Sequence, residues 1–307
     1  MIITLTGNLL AERTFNFADW TAGHTQRASS ETFQVGGKGI NVSKMLQRLK
    51  HPTTAWCFAG GAAGQECSAW LDSRGLNHRS FPTSSATRTG LVVRREARDE
   101  TTFLGPDRAP DSSALRGCAE ELDRERRPGS YLALCGSFPG WNSPGAAPLR
   151  NAVSRWIDDG AFVADTYGPP LSWLIERPVP LIKINRQEFD PLFPETERNV
   201  PVVERLAEAL RRWPVQAWIV TDGPAPVCYA GVDTPPAAQT PPLVQEVSPT
   251  GSGDVLFAVV LHALYELKVG LAEAVSFALP YAAANAGHPG VADFDLNNLP
   301  PPRSVHP

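Results

Sequence analysis

Hydrophobic and polar positions follow two rhythms along this chain. Short apolar or β-branched runs bounded by turn residues predict strands over 2–6, 53–59, 131–135, 161–164, 181–184 and 217–221. Apolar residues recurring every three to four positions predict helices between them, over 40–49, 65–74, 113–125, 148–158, 202–212 and 253–266. Strand and helix alternate through most of the sequence, the pattern of a mainly parallel sheet with helices on both faces. Segments 14–34 and 87–104 break that pattern. They show period-two alternation with no helix between, as in Leu91-Val92-Val93 and Thr101-Thr102-Phe103, and predict a small separate sheet. Such a sheet reads equally as a lid that shields a cleft from water or as surface hairpins. The last predicted helix is different in kind. Val255-Leu256-Phe257-Ala258-Val259-Val260-Leu261 is apolar on every side, so this helix is predicted to be buried, with its start inside the molecule.

Composition narrows the picture. The 307 residues are 42% hydrophobic, and without a sharp change in composition they read as one domain over 1–307. The net charge is −4 and the basic residues are scattered, which argues against nucleic acid as a partner. A small polyanion needs only a few placed arginines and stays open. The five cysteines, at 57, 67, 118, 135 and 228, have no metal-ligand spacing and read as buried thiols of a reducing compartment. The N-terminal MIITLTGNLL lacks a charged leader and reads as a first strand, and no apolar run is long enough for a bilayer. The expectation is a cytoplasmic protein with no membrane partner. Pro235-Pro236, Pro241-Pro242 and Pro300-Pro301-Pro302 predict loops and a tail.

Three segments carry candidate chemistry. In Pro249-Thr250-Gly251-Ser252-Gly253-Asp254, small residues lead into the apolar helix. A helix start presents unpaired N–H groups and positive dipole charge, and Gly251, Ser252 and Gly253 allow an anion to approach them. A carboxylate at such a site is useful if it accepts a proton or holds a metal, so Asp254 is a candidate base for phosphoryl transfer. The same residues also read as an ordinary N-cap after a glycine turn. Val35-Gly36-Gly37-Lys38-Gly39-Ile40-Asn41-Val42 again runs from glycines into a helix, without a P-loop or a dinucleotide fingerprint. Lys38 and Asn41 would bond a polyhydroxylated ligand, although a solvated lysine on a turn fits Lys38 better. In Leu181-Ile182-Lys183-Ile184-Asn185-Arg186-Gln187-Glu188 an apolar strand ends in N-x-x-E, where ligands collect in open α/β sheets. Glu188 would order Mg²⁺ through water and Asn185 would orient a phosphate; a helix cap reads equally well.

Three further segments complete the set: Asn8-Leu9-Leu10-Ala11-Glu12-Arg13-Thr14, the Thr87-Arg88 pair, and Gly136-Ser137-Phe138-Pro139. In this order the six segments resemble the PfkB-type carbohydrate kinases, most closely the branch of 1-phosphofructokinase, tagatose-6-phosphate kinase and minor 6-phosphofructokinase. The resemblance runs from residue 1 to about 290. It implies a ribokinase-like three-layer α/β/α fold with a mainly parallel sheet and a small discontinuous β lid. It also implies ATP and Mg²⁺ as cofactors, a sugar phosphate as substrate, and a homodimer through the lid.

The resemblance assigns roles as well. Asp254 would be the base, and the Gly251, Ser252 and Gly253 amides the anion hole. Lys183, Asn185 and Glu188 would organise nucleotide phosphates and Mg²⁺. Glu12, Gly37, Lys38 and Asn41 would contact the sugar. Arg27, Arg88 and Ser137 would hold its phosphate, with Arg88 as the discriminator because a guanidinium fits phosphate geometry. Thr221 and Gly223 would lie in the nucleotide site and Asn285 near the adenine. This sequence departs from the pattern at Leu9, at Glu12 in place of Asp, at Ile184, and at Pro226 in place of a nucleotide-loop glycine. Two alternatives stand beside this reading: a kinase of a neutral sugar or nucleoside, and a non-catalytic sugar-binding regulator.

Overall fold

The computed structural model describes residues 1–95, 100–297 and 299. Seven strands form the parallel body of the main sheet: β1 (Ile2–Thr6), β4 (Thr53–Ala59), β5 (His78–Pro82), β8 (Tyr131–Cys135), β9 (Phe162–Asp165), β10 (Leu181–Asn185) and β11 (Ala217–Thr221). Two antiparallel strands, β12 (Val227–Gly231) and β13 (Thr234–Gln239), close one edge, in the order β13-β12-β11-β10-β9-β8-β1-β4-β5. A separate sheet has the order β3-β2-β6-β7, built from β2 (Leu10–Phe17), β3 (Ser30–Gly36), β6 (Arg88–Arg95) and β7 (Glu100–Leu104). It combines the two segments that broke the sequence rhythm.

Helices cover both faces of the main sheet. One face packs against α3 (Ser112–Glu125), α4 (Ala147–Asp158), α5 (Pro169–Leu174), α6 (Arg186–Phe189) and α7 (Val202–Arg212), through Leu115, Leu149, Trp156, Phe189 and Leu206. The other carries α1 (Lys38–Arg48), α2 (Gly61–Ser73), α8 (Ser252–Tyr265) and α9 (Leu271–Ala286). Strand alternation divides the cores: Trp56 and Phe58 of β4 face one side, Ala55 and Cys57 the other. In α8 every residue from Asp254 to Ala263 is buried. Each such Val or Leu contributes about 1.5–3 kcal/mol of burial, so the start of α8 is anchored on all sides. Among the described residues, no helix is long and apolar enough to cross a membrane.

Three expectations change. The Pro235-Pro236 segment is not a loop but part of β13; it tolerates prolines because β13 is an edge strand and its register with β12 is irregular between Tyr229 and Gly231. Helix α9 was hidden in the sequence by Pro280, which sits inside it. Helices α1 and α2 start two and four residues earlier than the apolar periodicity suggests, because their first turns are glycine-rich. The Pro300–302 tail and part of the 87–104 segment lie outside the described residues.

Candidate active site

The site gathers at the carboxyl ends of β1, β8, β9, β10 and β11, facing the starts of α1 and α8. Gly251 caps α8 in the left-handed region (φ 76°), and a Cβ there would stand 2.3 Å from Val291 Cγ1. A Cβ on Gly253 would lie 2.7 Å from Lys183 Nζ, which places that ammonium against the first turn of α8. The left-handed backbone and the close approach of Val291 together dictate glycine at 251. Asn285 is fully buried and donates to Thr250 O and Ser252 Oγ, each at 3.0 Å, while its Oδ1 accepts the Ala292 N–H at 2.8 Å. It does not line the cleft. Its amide is committed to bracing the glycine turn. Lys44 braces the same turn from behind by donating to Val291 O at 2.7 Å.

The first turn of α8 opens onto a network of buried charge. Asn41 Nδ2 donates to Asp254 Oδ2 at 2.8 Å. Asp165, fully buried at the end of β9, accepts Lys38 Nζ at 2.7 Å and Lys183 Nζ at 2.8 Å. Lys38 Nζ also reaches Glu188 Oε1 at 3.1 Å. Lys38 is therefore a shared cation rather than the solvated lysine that its turn suggested. Burial opposes its charge, but the carboxylates of Asp165, Glu188 and Asp254 outweigh that and hold it above the ordinary lysine range. Burial likewise works against the Asp165 carboxylate, yet Lys183 and Lys38 overcome it and keep this group ionised. Asp254 goes the other way. Burial, reinforced by the charge of Asp165, pushes its carboxyl up to about 6 against the pull of Lys38, Lys183 and the Asn41 hydrogen bond. A carboxylate poised near neutrality inside a cleft is suited to accepting a proton.

A cleft of about 390 Å³ leads from this network towards β11 and the loop before α8. Lys183, Asn185, Thr221, Gly223, Gly251, Ser252 and Gly253 line it, with Leu243 and Val244 as an apolar wall. Pro226 stands exposed outside the lining, so the departure at that position leaves the cleft open. Asn185 and Glu188 form a reciprocal cap of α6: the Glu188 N–H donates to Asn185 Oδ1 at 2.9 Å and the Asn185 N–H to Glu188 Oε2 at 3.0 Å. The cap fixes Glu188 beside Lys38, at the mouth of the charge network.

On the lid side, Glu12 is buried and accepts a hydrogen bond from Gln34 Nε2, its cross-strand partner. Burial raises its carboxyl; the Gln34 hydrogen bond partly opposes this. Glu12 lies on the lid face shared by Leu10 and Arg88, which are paired between β2 and β6. Asn8 Nδ2 donates to Ser137 Oγ at 2.9 Å and joins that turn to the start of the lid. Gly37 has φ 129° and would clash with Thr6 if it carried a Cβ, so α1 starts close against β1. Arg27 stands exposed in the loop between β2 and β3 and is not part of this buried group.

Sequence reading missed Asp165. Its signal was the apolar strand Phe162-Val163-Ala164 ending in an acid, the counterpart of Asn185 at the end of the neighbouring strand. It also missed Leu243 and Val244, because nothing local marks an exposed apolar loop as a cleft wall.

Among the described residues, no group of three or more His, Cys, Asp or Glu side chains could hold a metal on its own. Mg²⁺ bound mainly by phosphates and water needs only one or two carboxylates; the candidate is Glu188, which stands beside the cleft-lining Asn185 and Lys38 with Oε1 on Lys38 Nζ and Oε2 on the Asn185 N–H. The arrangement as a whole suits phosphoryl transfer: helix amides and two ammonium groups for a polyphosphate, beside a single proton acceptor.

Comparison with known proteins agrees with the geometry. The chain is 27% identical over 266 residues to a 1-phosphofructokinase of Borreliella burgdorferi, covering 86% of this chain and 84% of that protein. It is also 27% identical to a 1-phosphofructokinase of Rhodobacter capsulatus, over 99% of this chain and 94% of that one. The crystal structure of Escherichia coli phosphofructokinase-2 in complex with fructose 6-phosphate superposes with a TM-score of 0.82 at 24% identity, over 93% of each chain. The model of the pfkB family of carbohydrate kinases matches residues 7–298, and the chain belongs to that family.

Proposed function

We propose that this protein transfers the γ-phosphoryl group of ATP to a hydroxyl of a phosphorylated ketohexose. Fructose 1-phosphate, fructose 6-phosphate and tagatose 6-phosphate are the substrates in question. The observation that carries the reading is the juxtaposition of Asp254, held by Asn41, with the glycine-capped start of α8 and the ammonium of Lys183. ATP fits the cleft beside Thr221 and Gly223, with its phosphates towards Lys183 and the α8 amides. Mg²⁺, held through Glu188 and the phosphates, would supply charge neutralisation. Lys38 and Lys183 orient the polyphosphate, Asp254 accepts the proton of the attacking hydroxyl, and the amides of Gly251, Ser252 and Gly253 stabilise the charge on the transferring group. The similarity to two proteins named 1-phosphofructokinase supports a phosphorylated acceptor.

A coupled assay of ADP release with ATP, Mg²⁺ and each of the three sugar phosphates tests the reading. At least one is expected to be turned over at a rate well above ATP hydrolysis alone; silence on all three would remove it. Arg88 supplies a second test. Its Nη groups make charge-assisted hydrogen bonds to phosphate in this reading. Arg88→Ala is therefore expected to raise KM for the sugar phosphate by about 10–100-fold with a smaller change in kcat.

The lid argues for a second copy of the chain. Strand β7 is exposed along its whole length, and Phe103 and Leu104 are 54% and 55% accessible on this sheet edge. We expect a dimer joined through the lid sheets, which light scattering reads as twice 33.2 kDa; a monomer at assay concentration would contradict it.

A further inference from the structure

The loop after β7 brings a carboxylate onto Arg88, which is assigned to the substrate phosphate, and onto its neighbour Asn8. Arg88 Nη1 donates to Asp107 Oδ1 at 3.0 Å, and Asn8 Nδ2 donates to the same oxygen at 2.8 Å and to Ser137 Oγ at 2.9 Å. Arg88 is largely enclosed, with a side chain 13% exposed, and its Nε is buried without a partner. Asp107 is 55% exposed and belongs to no element. Beside them, Asn8, Thr83, Ser85, Thr87, Arg88 and Arg108 line a small cavity of about 20 Å³.

A guanidinium and a carboxamide that converge on one oxygen, with the Ser137 hydroxyl bonded to the carboxamide, form a recognition set for an oxyanion. Here one of its acceptors is a carboxylate of the same chain. With Asp107 more than half exposed, its pairing with Arg88 adds little to fold stability. Its charge does matter to an incoming anion, since two anions on the same Arg88 and Asn8 donors repel each other.

We propose that Asp107 is an internal stand-in for the substrate's phosphate, displaced from Arg88 and Asn8 when a sugar phosphate binds. The competition sets how strongly this enzyme favours phosphorylated over neutral sugars. The inference rests on the reading of Arg88 as a phosphate ligand. It assigns the 105–111 loop a role in specificity and leaves the chemistry at Asp254 untouched.

The test is a KM and kcat comparison of wild type, Asp107→Asn, Asp107→Ala and Arg88→Ala. It uses whichever of the three sugar phosphates the wild type turns over, with fructose as the neutral probe. Asp107→Asn keeps an acceptor for Asn8 and removes the charge; Asp107→Ala removes both. Each is expected to lower KM for the sugar phosphate by about tenfold, the size of one like-charge contact at a partly screened site, with kcat within about twofold and KM for fructose unmoved. If KM for the sugar phosphate is unchanged or higher in both Asp107 variants while Arg88→Ala raises it, the stand-in role is overturned and the phosphate site survives. If Arg88→Ala leaves that KM unchanged, the phosphate site itself is wrong and the stand-in role falls with it.

Discussion

Replacing Asp254 with Asn is expected to lower kcat by about 10²–10⁴-fold while ATP and sugar still bind, because the change removes a proton acceptor and keeps its shape. The amide can still accept from Asn41 Nδ2, so the geometry of the site is retained. The same variant is expected to be more stable than the wild type. The Asp254 carboxyl is raised from 3.8 to about 6 in the folded protein. An acid raised on folding binds more protons folded than unfolded over that window. Its ionisation thus removes stability as pH rises from 3.8 to 6, and the deficit persists at pH 7. Asn carries no such charge, so its melting temperature at pH 7 is expected to be higher by about 2–6 °C. Loss of turnover together with a gain in stability separates a functional residue from a structural one. Steady-state kinetics and thermal denaturation of the one variant check both.

The second large effect is expected at Gly251. Gly251→Ala forces a side chain into the left-handed region, where strain is about 1–3 kcal/mol, and pushes its Cβ into Val291, 2.3 Å from Cγ1. The turn held by Asn285 and Val291 must then move, and with it the amides that face the transferring phosphoryl group. A fall in kcat of about 10²–10³-fold is expected, the usual loss when preorganised donors are displaced. Gly117→Ala, on an open surface of α3, is the control. It meets nothing within 4 Å, has ordinary helical geometry, and is expected to leave kcat unchanged. Equal activity in the two variants would show that the turn does not bear on catalysis.

The sequence revealed most where local chemistry and tertiary role agree. The six strands read from apolar runs, 2–6 to 217–221, all lie in the main sheet, and the all-apolar α8 is buried as its composition required. What stayed hidden depends on neighbours distant in sequence. Strand β5, with polar His78 and Arg79, is a strand because β4 pairs with it, and β13 tolerates two prolines only because it is an edge. The site divides in the same way. Asn41, Asn185, Glu188 and the 251–254 turn were legible because each stands at a glycine-rich or strand-end break in pattern. Asp165 was not, since a lone acid after three apolar residues acquires meaning only when Lys38 and Lys183, 127 and 18 residues away, converge on it. Glu12 and Pro226 stand out in the sequence as departures, but their consequences depend on Gln34 and on the edge of the cleft.

The pH dependence of kcat/KM with the best sugar phosphate tests the account most directly. Asp254 must be ionised to accept the hydroxyl proton, so the rate is expected to be level above its pKa and to fall about tenfold per pH unit below an apparent value near 6. Asp254→Asn is expected to lose that limb together with its activity. A wild-type profile that stays flat to pH 4.5, or the same limb retained in Asp254→Asn, would show that this carboxylate is not the proton acceptor.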